Sequence, residues 1–298
     1  MLDVVVRADS GIDEGTDVPG TIRFRVGGSA ANTARAFARL GGAATFIGAV
    51  GGDDVGRRLA ASLRSSGVRV HVVTRRGASP RLLAVVAPHG ERSFVTDRGV
   101  ADDLPRSALR ESWLRGTDAL HLPAYSLLSP PLADTAMDVA REVRARGVLV
   151  SVDLASRRPI QDAGPEQVMD LLRQIAPDLL LCNRDEARAL LGSGVRLRRL
   201  LDVARTVAIK EGAAGCRVLW RVGDDAAVNE MHVATKSIKA ADTTGAGDAF
   251  DAGFLYALVA GGMRSGTTST PAILRRAALA GHRSATSVIR APRPEIAL

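Results

Sequence analysis

The chain has 298 residues, a hydrophobic fraction of 46% and a formal net charge of +8. That suits one large α/β domain, or one with a small appendage, and is ample for a sizeable core. Two cysteines exclude a disulfide scaffold or a cysteine-rich metal cluster, and no apolar run reaches membrane-spanning length. Met1-Leu2-Asp3 lacks the basic start of a signal peptide, so a soluble cytoplasmic protein is expected.

All but three of the 40 basic residues are arginine, and they are scattered among acids with no aromatic-interleaved basic run. Nucleic-acid binding is therefore not the expected main function, whereas anionic small substrates such as nucleotides suit a mildly basic chain. Aromatic residues make up only 3%, so the core must be mostly Ala, Val and Leu.

Asp3-Val4-Val5-Val6 reads as a strand, residues 9 to 20 as a Gly-, Asp- and Pro-rich loop, and Thr21 to Val26 as a second strand. Gly27-Gly28-Ser29-Ala30-Ala31-Asn32 follows and opens an Ala-rich helix running to about Leu40. Paired glycines let a ligand approach the backbone, and Asn32 offers an amide and a carbonyl from the first helical turn. The plainer reading is a Gly turn before a helix. In Gly51-Gly52-Asp53-Asp54-Val55-Gly56, Asp53 caps or orders the turn before an amphipathic helix carrying Leu59 and Leu63. Leu82 to Ala87 and Arg92 to Thr96 read as strands around a hairpin turn at Pro88-His89-Gly90-Glu91, with His89 solvated at the tip. Together with the two earlier strands they are expected to make a small antiparallel sheet.

From residue 100 onward helix and strand alternate. Asp118 to Leu122, Val148 to Val152 and Leu179 to Leu181 are strands; Leu132 to Arg146 and Met169 to Ile175 are helices. Such alternation predicts a parallel sheet with helices on both faces and ligands beyond the carboxyl ends of the strands, where Asp153 and Asn183 fall. Asn183 and Glu186 have the spacing of a capping box. Lys210 ends the strand that begins at Val207, and Gly212 and Gly215 serve the turn beyond it. Residues 264 to 270 form a Gly/Ser/Thr loop, and Ile273 to Ile289 is a last helix broken in character by Gly281. His282 on that helix reads as partly exposed.

The most specific stretch is Ala241-Asp242-Thr243-Thr244-Gly245-Ala246-Gly247-Asp248-Ala249-Phe250. A polar turn passes there into a helix with an apolar face at Phe250, Phe254, Leu255 and Leu258. Gly245 to Asp248 should therefore lie at a helix N-terminus, where unpaired N–H groups and the dipole favour an anion. A carboxylate inside such a cradle is suited to taking the proton of a hydroxyl that attacks a phosphoryl group.

This stretch resembles the C-terminal signature of the ribokinase-like (PfkB) carbohydrate kinases, and Gly27 to Asn32 is similar to the family's N-terminal signature. The resemblance implies an α/β fold, a doubly wound, mostly parallel sheet flanked by helices. Residues 27–80 and 98–298 would form the core, and 3–26 and 81–97 a small β lid over the acceptor. It implies Asp248 as catalytic base and Gly245, Ala246 and Gly247 as anion hole. Gly27, Gly28 and Asn32 would hold the acceptor together with Asp3, ahead of the competing Asp9, Asp13 and Asp17. Asn183 and Glu186 would position Mg²⁺ and phosphate through water, and Lys210 and Gly212 would meet the nucleotide. Asp242 and Thr244 are the candidate ligands of a K⁺ ion beside the anion hole.

The opening Met1 to Val6 looks like the middle of the family's first segment, so the family's first core strand is expected to be missing. At the other end Arg290-Ala291-Pro292-Arg293-Pro294 lacks the glycine usual in the segment that closes on adenine. The function implied is ATP-dependent phosphorylation of a hydroxyl on a sugar or sugar-like small molecule, with homodimers through the lid. The same residues allow a nucleoside acceptor or, with the first strand gone, a non-catalytic binding protein. No G-x-G-x-x-G follows an early strand, which argues against a dinucleotide-binding dehydrogenase.

Overall fold

Short apolar runs alternating with longer helical patterns set the architecture. In chain order the elements are β1 (Leu2–Ala8), β2 (Gly20–Val26), α1 (Ser29–Arg39), β3 (Thr45–Gly51), α2 (Asp54–Ser65), β4 (Arg69–Arg75), β5 (Arg81–Val86), β6 (Arg92–Asp97), β7 (Ala119–Pro123), α3 (Leu132–Ala145), β8 (Leu149–Asp153), α4 (Arg157–Ala163), α5 (Pro165–Ile175), β9 (Leu179–Asn183), α6 (Arg184–Leu191), β10 (Thr206–Lys210), β11 (Cys216–Trp220), β12 (Asn229–Val233), α7 (Ala246–Ala260) and α8 (Pro271–Arg290). The structure, a computed structural model, describes residues 1–11, 15, 17–87, 92–194, 196–222, 227–238, 242–267, 269–291 and 295–296. Pro88 to Glu91, with His89, and the candidate Asp13 lie outside the described residues.

Six strands form the central sheet in the order β12-β11-β10-β9-β8-β7. β7 to β10 are parallel, and β11 and β12 add antiparallel at one edge. Strands buried on both faces read as unbroken apolar runs, and Leu179-Leu180-Leu181-Cys182 shows why. Leu179 and Leu181 pack with Phe250, Phe254 and Leu274 of α7 and α8, while Leu180 and Cys182 pack with Val143, Leu172 and Leu190 of α3, α5 and α6. The period of two turns alternate residues to opposite faces. It also places Asp153, Asn183 and Lys210, the last residues of their strands, on the face covered by α7.

A separate sheet runs β2-β1-β5-β6. Its outer pairs are antiparallel, as the alternation of the sequence suggests, but the inner pair β1–β5 is parallel, with Leu2 beside Arg81. This corrects the all-antiparallel expectation. The chain leaves after β2, runs through α1, β3, α2 and β4, and re-enters in the same direction, as a parallel pair requires.

β3 and β4 pair only with each other in a third, two-stranded parallel sheet. Ile47 of β3 packs against the main core, where Leu120 and Leu122 of β7 also lie. Yet among the described residues no strand joins β3 to β7. Among the described residues no helix is long and apolar enough to cross a membrane.

α8 is continuous through Gly281, contrary to the expected break. A Cβ at Gly281 would stand 2.7 Å from the Phe250 ring, and one at Gly253 would stand 2.5 Å from the Ala280 carbonyl oxygen. The two glycines let α7 and α8 approach backbone to backbone.

Asp53 does what its position implies and more. It is the N-cap of α2, accepting from the Gly56 N–H at 2.9 Å. It also accepts from Ser79 Oγ at 2.5 Å, from the Ser79 N–H at 3.0 Å and from Arg81 at 3.2 Å, tying α2 to the start of β5. Burial opposes its charge, but the Ser79, Gly56 and Arg81 donors outweigh that and hold the carboxyl at about 2. The folded value lies below the ordinary one, so this stabilisation is complete above the unfolded pKa and fades as pH falls toward 2. Asp53→Ala is expected to cost about 1–3 kcal/mol in urea unfolding at pH 7, and the loss should shrink in acid.

Candidate active site

Gly245 is the N-cap of α7 at φ 82°, a left-handed conformation that glycine adopts without penalty. No side chain among the described residues caps this helix end; the Ala246 N–H is met by the Thr243 carbonyl oxygen at 3.1 Å, and the anion-facing donors are those of the rest of the first turn. α1 starts in the same way. Its N-cap Gly28 sits at φ 95°, again without a side-chain cap. The two helix starts meet at Asp248, in the first turn of α7. Ser29 Oγ donates to Asp248 Oδ1 and Asn32 Nδ2 to Asp248 Oδ2, each at 2.8 Å. Burial pushes the Asp248 carboxyl up, and these two donors pull against it.

Asp251, one turn further along α7, is fully buried. Lys210 Nζ lies 3.0 Å from both Asp251 oxygens and 2.9 Å from Asp153 Oδ1. The lysine side chain is only 14% exposed although it ends its strand. The expected contact with nucleotide phosphate meets competition, because two carboxylates already neutralise the ammonium. Burial alone would lower the Lys210 pKa, but Asp153 and Asp251 reverse that and raise it well above its ordinary value. A Cβ at Gly247 would lie 3.6 Å from Lys210 Nζ, so the ammonium also sits under the glycine turn. Oxygen atoms of Asp153, Asp248 and Asp251 lie within 4.8 Å of one another.

Asn183 and Glu186 form the full capping box of α6. Asn183 Oδ1 accepts from the N–H groups of Asp185 and Glu186, and Glu186 accepts from the Asn183 N–H and from Asn183 Nδ2, each at 2.7 Å. Burial, then the charge of Asp153, lifts the Glu186 carboxyl to about 7. With both oxygens engaged by Asn183, Glu186 fits a metal held through water rather than directly, as Mg²⁺ commonly is. Gly212, at φ 59°, has nothing within 4 Å of a built Cβ, leaving open space beside the turn. Gly215 has a structural role instead, since a Cβ there would strike the Val233 carbonyl oxygen at 2.3 Å.

Asp3 is buried on β1, and a Cβ at Gly27 would stand 2.1 Å from its Oδ1. Glycine at 27 is what admits this carboxylate beside the turn that leads to Ser29. Asp9 and Asp17 are exposed. Asp242 accepts from the Thr244 N–H at 3.0 Å and from Arg25 at 3.2 Å. The Arg25 guanidinium thus supplies positive charge where the K⁺ reading requires an ion. His282 is half-buried, its Nε2 3.0 Å from the Val233 carbonyl oxygen and its ring edge-on to Phe250.

Sequence reasoning passed over Asp251 and His121. His121, on β7, has Nδ1 3.1 Å from Ser151 Oγ, and burial lowers its pKa to about 4, keeping the ring neutral. For Asp251 a signal existed: it is an acid on a helix otherwise apolar on every side beyond its first turn.

The pfkB family carbohydrate kinase model matches residues 1–294. A probable fructokinase-7 from Arabidopsis thaliana is 30% identical over 249 residues, covering 78% of this chain and 69% of the relative. An ATP-dependent ribose-1-phosphate kinase from Halopiger xanaduensis is 33% identical over 231 residues, covering 77% and 72%. The crystal structure of a probable sugar kinase from Rhizobium etli superposes with a TM-score of 0.81 at 25% identity, over 98% of this chain and 92% of that one. The fold is that of ribokinase-like kinases, and the relatives support a phosphotransferase with an alcohol acceptor. The chain belongs to the pfkB family of carbohydrate kinases.

Losing the Asn32 donor removes a bond that favours the ionised form of Asp248. Asn32→Ala should therefore move the acid limb of kcat/KM to higher pH, measured as a pH–rate profile.

Proposed function

We propose that the chain transfers the γ-phosphoryl group of ATP in line to a hydroxyl of a sugar or nucleoside, with Asp248 as general base. The observation that carries this reading is the carboxylate of Asp248 in the first turn of an uncapped helix, fixed on both oxygens by Ser29 and Asn32. Asp248 takes the proton of the attacking hydroxyl. The N–H groups of Gly245 and Gly247 face the charge that develops on the transferring phosphoryl group, where fixed donors lower the barrier most, while the Ala246 N–H holds the turn through the Thr243 carbonyl oxygen. Asp3, Gly27, Gly28 and Asn32 orient the acceptor, the first two through the contact that seats Asp3 against the glycine turn.

Lys210 acts mainly as a positioning residue: it fixes the first turns of α7 to the ends of β8 and β10 through Asp251 and Asp153. Gly212 leaves room for the nucleotide. When bound, Mg²⁺ would neutralise phosphate charge, held through water by Glu186 and Asn183. No step passes through K⁺, since Arg25 already serves Asp242. The four-stranded sheet acts as a lid whose inner face carries Asp3 and keeps water from competing for the phosphoryl group.

On the outer face of that sheet, Ile22 is 63% and Val95 67% exposed, with Leu83 on the same side. Exposed apolar sheet faces of this kind bind partners, and a second copy of the lid offers a matching surface. Val95→Glu is expected to convert a dimer to a monomer in light scattering.

Asp248→Asn keeps the shape of the site but removes the base. We expect ATP turnover to fall by at least about a hundredfold, with ATP affinity by calorimetry unchanged. A variant retaining near wild-type turnover would overturn the assignment.

A further inference from the structure

The acceptor side of the site is rich in guanidinium groups. The strand register puts Arg7, Arg23 and Arg25 on the same face of the four-stranded sheet as Asp3, and all four side chains line one cavity with Asp242 and Thr244. Thr244 also borders an adjoining cavity walled by Asn32, Gly245, Arg35 and Arg39. Across the two cavities five arginines face two acids, Asp3 and Asp242.

The existing bonds leave much of this donor capacity unused. Arg25 gives one terminal nitrogen to Asp242 at 3.2 Å, while its Nε is buried and unpartnered. Arg35 is 5% exposed and gives one nitrogen to Asn32 Oδ1 at 3.2 Å, and its Nε is likewise buried without a partner. Arg23 reaches out to Glu295 at the rim. Arg7 makes no ion pair among the described residues.

A guanidinium offers five N–H donors and no acceptor, and leaving them buried and unmet is unfavourable. Sugar hydroxyls can be held by Asp3 and Asn32 alone. Donor-only groups in excess call for an acceptor-only partner, and arginine forks match phosphate and carboxylate.

We propose that the acceptor is an anionic sugar, one bearing a phosphate or a carboxylate. Its charged end sits on Arg7, Arg23 and Arg25, with Arg35 behind Asn32, and its reacting hydroxyl points to Asp248. The inference rests on the kinase reading above and names the substrate class of that site. A neutral sugar or nucleoside leaves the arginine face without its partner.

The test measures binding and turnover separately. Calorimetry without nucleotide compares ribose 5-phosphate with ribose and gluconate with glucose, with adenosine as a neutral nucleoside. ADP release is then followed with the same compounds.

At least one anionic probe is expected to bind about tenfold or more tightly than its neutral parent. Arg7→Gln, on an exposed residue that does not threaten folding, and Arg25→Gln should each weaken that probe about ten- to a hundredfold, the effect of losing a charged hydrogen bond. ATP affinity should stay unchanged, and Arg25→Lys should restore part of the loss. Preference for ribose 5-phosphate assigns a phosphate, and preference for gluconate a carboxylate.

The inference is overturned if neutral parents bind as tightly, if no anionic probe binds, or if the arginine variants leave the affinity of the anionic probe unchanged. Turnover of a neutral sugar at the higher kcat/KM overturns it while sparing the kinase reading. Tight arginine-dependent binding of an anionic probe that no ATP phosphorylates does the reverse.

Discussion

One buried ammonium holds this site together. Lys210 ends β10, Asp153 ends β8, and Asp251 lies one turn inside α7; the three meet within hydrogen-bond distance on the face of the sheet that α7 covers. Removing a single partner from such a buried set leaves an uncompensated charge and typically costs about 3–5 kcal/mol. The carboxyl end of the sheet and the start of α7 are therefore locked in one relative position, and the glycine turn at Gly245 inherits that position. Glu186 and Asp248 lie close enough to feel the same charges, so a change at Lys210 would be read electrically across the whole site.

The lock explains why glycine and small residues crowd this end of the molecule. α1 and α7 both begin at a glycine in a positive-φ conformation, and neither start is capped by a side chain. Two positive helix ends face a single carboxylate, which stays anchored by Ser29 and Asn32. On the far side, α7 rests against α8 through Gly253 and Gly281, so its axis is set by backbone contact instead of adjustable side chains. A rigid helix with an open start is a suitable platform for charge that appears only during reaction.

How much of this was legible in the sequence depended on how local the signal was. The Asp-Thr-Thr-Gly-Ala-Gly-Asp turn, the Gly-Gly start of α1, the Asn183–Glu186 box and the Asp53 cap are fixed by residues a few positions apart, and each formed where the spacing put it. The strands of the small sheet were legible one by one, but the parallel pairing of β1 with β5 was not, because register between distant segments is a tertiary matter. β3 and β4 were missed: Gly48 interrupts the first, and polar residues interleave the second. The partners of Lys210 are 57 and 41 residues away in sequence, beyond any pattern of spacing. Gly281 looked like a break because a glycine's reason to exist can lie on the neighbouring helix.

The parallel pairing of β1 and β5 also bears on the order of assembly. Each outer hairpin of the small sheet is local, but joining them brings Leu2 beside Arg81 and closes a loop through α1, β3, α2 and β4. Loop closure between such distant segments is entropically slow, and it becomes favourable only once the intervening elements have folded back on the core. The four-stranded sheet is thus expected to form late, after the elements that lie between its strands.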